Sequence, residues 1–303
     1  MASQRDVKNR ISSVKNIQKI TRAMEMVAAA RLRRAEQRIA ALRPYADALR
    51  RMTRQAAQAA GAEATRLALL SEHESTDRVG LLLVTGDRGL AGGFNSQIIR
   101  AGVRIGDEYA EQNVQTAWYA TGRRGVSSLT FRGRELAGGY TGFADKPAYA
   151  DARSIADDLM TGYIDGELDR VEIVYNAYIS PLTQQVKRET LLPLSHATIA
   201  AEEPADGDAS AEADSGPRAL VDYEPDPEEI LKRLVPDYVE ISIYRSLVES
   251  TAGFFGAQMT AMRSASDNAG EIITDLTLQM NRARQAEITQ EIMEVVAGAE
   301  GLT

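Results

Sequence analysis

The residues best placed by type and spacing to do chemistry lie in Thr85–Ser96, TGDRGLAGGFNS. This run follows a β-rich apolar stretch and opens a helical one, the place where α/β folds cradle phosphates on backbone amides. The glycines fit neither phosphate fingerprint. Gly86, Gly89, Gly92 and Gly93 do not give G-x-G-x-x-G, and no Lys-Ser or Lys-Thr follows to complete a Walker A loop. A tight structural turn packed closely against its neighbours is the better reading. Nucleophilic chemistry has less support. The chain has no Cys and no G-x-S-x-G elbow, which removes thiolate nucleophiles, thiolate zinc sites and disulfides. Two His, His73 in a polar segment and His196 beside an acidic one, cannot build a multi-His metal site and read as solvated or locally bonded. Asp and Glu are abundant, but no pair stands at a spacing that singles it out for acid–base work. No catalytic residue, metal ligand or cofactor site is expected.

A second chemical signal is charge. Residues 1–54 hold fourteen Lys and Arg against four Asp and Glu, a local +10 in a chain of net charge −8, so the remainder carries −18. Such asymmetry points to an acidic partner for the N-terminal segment: nucleic acid, anionic lipid or acidic protein loops. Arg31, Arg33, Arg34 and Arg38 exceed what solubility requires. A basic-region DNA helix would run free of any partner helix, whereas here an apolar stripe runs through the basic segment itself. No stacking aromatics are interleaved for RNA. A basic coiled-coil nucleic-acid-binding adaptor and a nucleotide-binding α/β enzyme therefore stand as alternatives, each weaker than a protein-contact role.

These groups need positioning elements. The first sixty residues contain no Gly, one Pro (Pro44) and fourteen Ala, a strongly helical composition. Apolar positions recur at Val7, Ile11, Val14, Ile17, Ile20, Met24 and Val27, then at Leu32, Ala35, Ile39, Leu42, Ala46, Leu49, Met52 and Ala56. Steps of three and four sustained this long predict a coiled-coil stripe, with a kink or interruption at Pro44. The C-terminal end, from about Asp237 to Ala297, mirrors it, with Ala269, Ile273, Leu276, Met280 and Ala283 on one stripe. Gly253, Gly256 and Gly270 mark bends or close approach to another backbone. About 55 helical residues would span about 80 Å, longer than a compact globule of this size is wide. The two helices are therefore expected to pair antiparallel and to project from the body.

Between them, Val79–Thr85, Val114–Ala120 and Val171–Ile179 are β-rich runs separated by helical patterns near 95–112 and 148–164. Such alternation predicts a Rossmann-like, mainly parallel α/β sheet, with Gln184–Leu192 as an alternating edge strand. The expected organisation is an N-terminal helix over 1–60, an α/β domain over 75–200, an acidic disordered insert over 201–218 and a C-terminal helix over 227–303 that pairs with 1–60. The fold class is thus α/β with a long antiparallel coiled coil of the terminal helices. Aromatics at 6% with one Trp agree with the helical lean. No apolar run approaches 18 residues and Met1–Arg10 is polar, so neither a membrane span nor a secretory signal is expected.

Three stretches taken together resemble the gamma subunit of rotary F-type ATP synthases: Val7–Arg34 (VKNRISSVKNIQKITRAMEMVAAARLRR), Asp87–Ser96 (DRGLAGGFNS) and Ala283–Ala299 (ARQAEITQEIMEVVAGA). LLPL at Leu191–Leu194, YEPDP at Tyr223–Pro227 and DNAG at Asp267–Gly270 are shorter echoes. The resemblance implies a central-stalk rotor of a proton-translocating ATP synthase, not itself a catalyst. It implies as partners three α and three β subunits, an epsilon subunit and the c-ring of the membrane sector, with no nucleic acid. It implies peripheral attachment to the cytoplasmic face of a bacterial plasma membrane through those partners alone. Arg22, Met24 and Glu25 match the segment near acidic loops of β, and Arg284, Gln285, Thr289 and Glu291 match the segment that meets β higher on the shaft. Two departures stand out. The acidic stretch Ala201–Arg218 is longer than the family's usual connection, and the AEGLT tail is more polar than its usual ending. Without Cys, the thiol switching known in chloroplast members is ruled out.

Overall fold

A computed structural model of the chain describes residues 4–61, 67–194 and 226–300. The acidic stretch 201–218, His196 and the tail beyond 300 lie outside the described residues. Two compact units emerge, one from Met1–Ala30 and Gln258–Thr303, the other from Arg31–Ala257.

The second unit is built on VGLLLV, six apolar or small residues without alternation, as expected of a strand covered on both faces. It forms β1 (Arg78–Val84) at the centre of the sheet. The other strands are β2 (Gln115–Thr121), β3 (Leu136–Tyr140), β4 (Arg170–Ser180) and β5 (Thr183–Leu192), in the order β3-β2-β1-β4-β5. All pairs are parallel except β4 with β5, which is the antiparallel edge hairpin that the alternation of Gln184–Leu192 predicts. The helices are α1 (Gln4–Ala60), α2 (Phe94–Glu111), α3 (Arg123–Phe131), α4 (Tyr149–Ile164) and α5 (Pro227–Glu300).

Glycines on α2 set its distance from the sheet. A Cβ on Gly102 would stand 2.4 Å from Leu83 Cδ2, and one on Gly106 2.5 Å from the Trp118 ring. Leu82, Val84, Tyr119, Ile173 and Tyr175 form the other core with Ile155, Leu159 and Tyr163 of α4 and Leu231, Val239, Ile243 and Leu247 of α5. Val84, Leu82 and their neighbours thus alternate faces with Leu83, the period-two pattern of a strand.

Glu172 of β4 is buried and answered on the same face. Arg188 of β5 donates to it through Nε (2.7 Å) and Nη2 (3.1 Å), and Tyr109 Oη donates to it at 2.8 Å. A buried carboxylate is tolerated only with such partners. Arg188→Met is therefore expected to lower the stability of the full chain by about 3 kcal/mol in urea unfolding, with much of that loss recovered by adding Glu172→Leu.

Two sequence expectations meet corrections. Of the kink or interruption expected at Pro44, the interruption does not occur, since α1 continues through it, as α5 continues through Pro236. Each removes one ladder donor, a cost of about 3 kcal/mol that flanking Ala, Leu and Arg and the buried faces outweigh. In the first unit, the inward seam of α1 is not the stripe of largest apolar residues. Val7, Ile11, Thr21 and Ala28 are buried, with Val14, Gln18 and Glu25 half-buried between them. Their steps alternate four and three, averaging 3.5, which keeps a seam facing its partner. The apolar set through Ile17, Ile20 and Val27 steps more tightly and rotates off that line; these side chains are 53%, 59% and 53% exposed. On α5 the seam runs as expected, from Met262, Ser266 and Ala269 through Ile273, Leu276, Met280 and Ala283.

Candidate functional site

In open parallel sheets the ligand crevice lies outside the carboxyl ends of the strands, where the strand order reverses. Here that point falls between β1 and β4, beside the Gly-rich turn 86–93. It is filled by α5. Phe254 lies against Gly86 so closely that a Cβ there would be 3.0 Å from its ring, and it meets Phe94 edge-on at 5.6 Å between centroids. Thr251 Oγ1 donates to Ala144 O at 2.9 Å, and Gly253 packs against Phe94 and Gln184. The remaining gap, lined by Val84, Thr85, Thr121, Ser250 and Phe254 among others, is about 10 Å³, one water at most.

The turn's polar groups are likewise consumed internally. Asn95 Oδ1 accepts from Gly86 N (2.8 Å), and Asn95 Nδ2 donates to Arg88 O (3.0 Å). The buried Asp87 carboxylate accepts from the backbone N–H groups of Arg123, Gly142 and Ala144 at 3.0–3.1 Å. This is the tightly packed structural turn that its spacing predicts. His73 is locally bonded, its Nδ1 3.1 Å from Asp169 Oδ1 and its ring against Tyr163. The other Asp169 oxygen accepts from Asp77 N and Arg78 N, and these bonds outweigh burial and hold its carboxyl below the usual range.

In the first unit, α1 and α5 run antiparallel. Glu25 accepts from Arg263 Nε at 2.9 Å, Gln18 Nε2 donates to Ser266 O at 3.2 Å, and Gly270 leaves room for the Gln18 amide. As residue numbers rise on one helix they fall on the other. Of the residues singled out in the sequence, Arg22 is exposed, Met24 is half-buried beside the seam, and Glu25 is held by Arg263. Arg284, Gln285, Thr289 and Glu291 are exposed, and Thr289 Oγ1 only returns a bond to Gln285 O (2.8 Å). The register carries these four past the start of α1, about 30 Å from Arg22 at 1.5 Å per residue. No α1 residue therefore faces Ile288, Ile292, Met293, Val295 and Val296, which stand exposed. Arg263, Gln18 and Ser266 were not singled out; the signal for them was the helix-interior Gly270, which marks close approach.

Arg31, flagged only as part of a basic cluster, has a defined role in the second unit. Its Nη1 lies 3.2 Å from Asp145 Oδ2, and its guanidinium lies over the Phe255 ring, 5.5 Å from the centroid. Nearby on α5, burial pushes the Glu249 carboxyl above its usual range, against the pull of Arg245. A raised folded-state pKa stabilises below the unfolded value and costs stability as pH rises through the folded value. Glu249→Gln is thus expected to raise the melting temperature of the full chain at about pH 8, the gain fading towards about pH 4.

The geometry defines a class of protein. It is an α/β domain carried between two long terminal helices that pair antiparallel, with one of those helices, rather than a ligand, seated in the sheet's crevice. A family model described as ATP synthase matches residues 3–302. The ATP synthase gamma chain of Rubrobacter xylanophilus is 43% identical over 302 residues, covering 100% of this chain and 99% of that one. The gamma chain of Streptomyces avermitilis is 41% identical over 305 residues, covering 99% and 96%. Among solved structures, a rotor chain of the Euglena gracilis mitochondrial ATP synthase has the same fold, with a TM-score of 0.64 over 94% of this chain and 98% of that one at 17% identity. The chain belongs to the ATP synthase gamma chain family.

Proposed function

We propose that this chain is the central-stalk rotor subunit of a proton-translocating F-type ATP synthase and is not itself a catalyst. The observation that carries the reading is a match to gamma chain relatives at 41–43% identity that spans nearly the whole length of both chains, and so takes in the terminal helices. Its partners are three α and three β subunits, an epsilon subunit and the c-ring. Torque passes between the c-ring and the α/β ring through the paired helices. Because the pair is asymmetric, each β subunit meets a different face as it turns, and differential contact biases its site between open and closed states.

Arg22, Met24 and Glu25 meet acidic loops of β, which suits the +10 charge of the first 54 residues. Arg284, Gln285, Thr289 and Glu291 meet β higher on the shaft, where the uncovered apolar residues of α5 favour a surrounding sleeve. Among the described residues no helix is long and apolar enough to cross a membrane. Attachment at the cytoplasmic face of a bacterial plasma membrane is then through partners. Residues 1–60 and 227–303 serve as the shaft, 75–200 as the body and 201–218 as an acidic insert.

An affinity tag inside residues 205–216 leaves both termini free to enter the ring. Purification from detergent-solubilised membranes, with a native mass spectrum and an ATP hydrolysis assay, tests the reading. The expected result is three α, three β and one copy of this chain with ATPase activity. A lone chain, or one carrying nucleic acid without ATPase, would defeat it.

A further inference from the structure

Both long helices are fastened to the sheet domain at one short segment, Gly142–Asp145, which follows β3. Asp87, in the Gly-rich turn that follows β1, holds the segment by accepting from Gly142 N and from Ala144 N at 3.1 Å. Ala144 returns the tie to α5, its carbonyl 2.9 Å from Thr251 Oγ1, a hydroxyl it shares with Leu247 O at 2.8 Å. Asp145 ties it to α1 through Arg31 (3.2 Å) and back to the Gly-rich turn through Arg88 (3.4 Å). Consecutive residues therefore bind the two helices, and one buried carboxylate anchors both to the turn that follows the central strand.

We propose that this knot is a torque anchor of the subunit, and that Asp145 and Asp87 are positioning residues for torque transfer; the proposal rests on the rotor reading above. A helix carries twist along its axis through its own ladder of hydrogen bonds, but it can hand torque to a body only through contacts off that axis. Apolar contacts resist separation while permitting sliding, because they are not directional. Charge-assisted hydrogen bonds fix an angle. Elsewhere, Glu36 of α1 accepts from Tyr178 Oη, and Arg245 of α5 donates through Nη2 to Glu189 of β5 at 2.9 Å. On α5 the knot lies next to the plug formed by Phe254, and Arg31 spans to Phe255 as well as to Asp145. A turn of α1 about its own axis is thus resisted here and at Glu36, and a turn of α5 here and at Arg245; at the knot Asp87 passes the load to the turn that follows β1.

The test uses the whole complex in sealed membrane vesicles, assembled with the unaltered chain, with Asp145→Ala and with Asp145→Glu. ATP hydrolysis is measured with the proton gradient collapsed by an uncoupler, and ATP-driven proton uptake is measured on the same vesicles. Asp145 is partly exposed, so assembly and melting temperature should be retained. With Asp145→Ala, unloaded hydrolysis should be unchanged, while proton uptake per ATP hydrolysed falls roughly two- to fivefold, the factor a partly exposed ion pair is worth. Asp145→Glu should restore most of the ratio. An unchanged ratio overturns the proposal. So does a parallel fall of hydrolysis and uptake with a lower melting temperature, or a failure to assemble, since the segment would then serve folding alone. If the complex with the unaltered chain shows no link between hydrolysis and uptake, it is the rotor reading that fails.

Discussion

Gly122→Ala should destabilise the full chain by about 4 kcal/mol or more, enough to prevent the sheet domain from forming in most backgrounds. Gly122 follows β2 and caps α3 with φ +82° and ψ 140°, a region that side-chain-bearing residues occupy at a cost of order 1–3 kcal/mol. Space adds to conformation. A Cβ there would stand 2.2 Å from Thr85 O and 2.7 Å from Thr85 C, both backbone atoms of the adjoining strand end. Neither can swing aside as a side chain would. Gly122 N also donates to Tyr140 O at 2.7 Å, so moving the residue away from Thr85 would pull apart the ends of β2 and β3. Gly133→Ala is the control. Its φ is +70° but nothing lies within 4 Å of the added Cβ, so it should cost only about 1 kcal/mol. Urea unfolding of both variants separates backbone conformation from collision. Equal losses would show that collision contributes nothing.

Phe254→Ala carries the second large effect, an expected loss of about 3–5 kcal/mol. The ring is 4% exposed and fills the crevice where related sheets bind ligands. It meets Phe94 and Phe255 edge-on at 5.6 and 5.5 Å. The void left behind would be lined partly by Thr85, Thr121 and Ser250, so water should enter rather than the helix collapse inward. Phe131→Ala, which removes a ring that is 92% exposed, should change stability by less than about 0.5 kcal/mol. Chemical denaturation of the full chain decides it, and comparable losses for the two variants would mean that the crevice is not plugged as described.

Much of the architecture was legible because strong local signals agreed with the tertiary outcome. VGLLLVT could only be a strand covered on both faces, and the alternation in Gln184–Leu192 marked an edge. The Gly- and Pro-poor first sixty residues could only be helix. α3 and β3 carried no comparable signal. RRGVSSLTF mixes Gly, Ser and Thr in a nine-residue helix, and LAGGY is a five-residue edge strand with two glycines. Both form because β2 and α2 offer them surfaces, a tertiary effect that propensity does not record. The seam of α1 was misread for a related reason. Apolar size drew attention to Ile17, Ile20 and Val27, whereas a seam is set by its 3.5-residue period, even where it falls on Gln18, Thr21 and Glu25.

What the sequence by itself determined was the two long terminal helices and their antiparallel pairing, the central strands with α2 and α4, and the family, since periodicity, glycine placement and long motifs are properties of the chain alone. What only the tertiary structure decided was which groups meet across long separations: Phe254 on Gly86, Arg263 on Glu25, Thr251 on Ala144, Arg31 and Arg88 on Asp145. Each of those residues is an ordinary member of its own segment. Their roles arise only when folding brings distant segments together, burying Phe254 and Thr251 in the crevice and setting the charged groups opposite one another at its margin and along the helix pair.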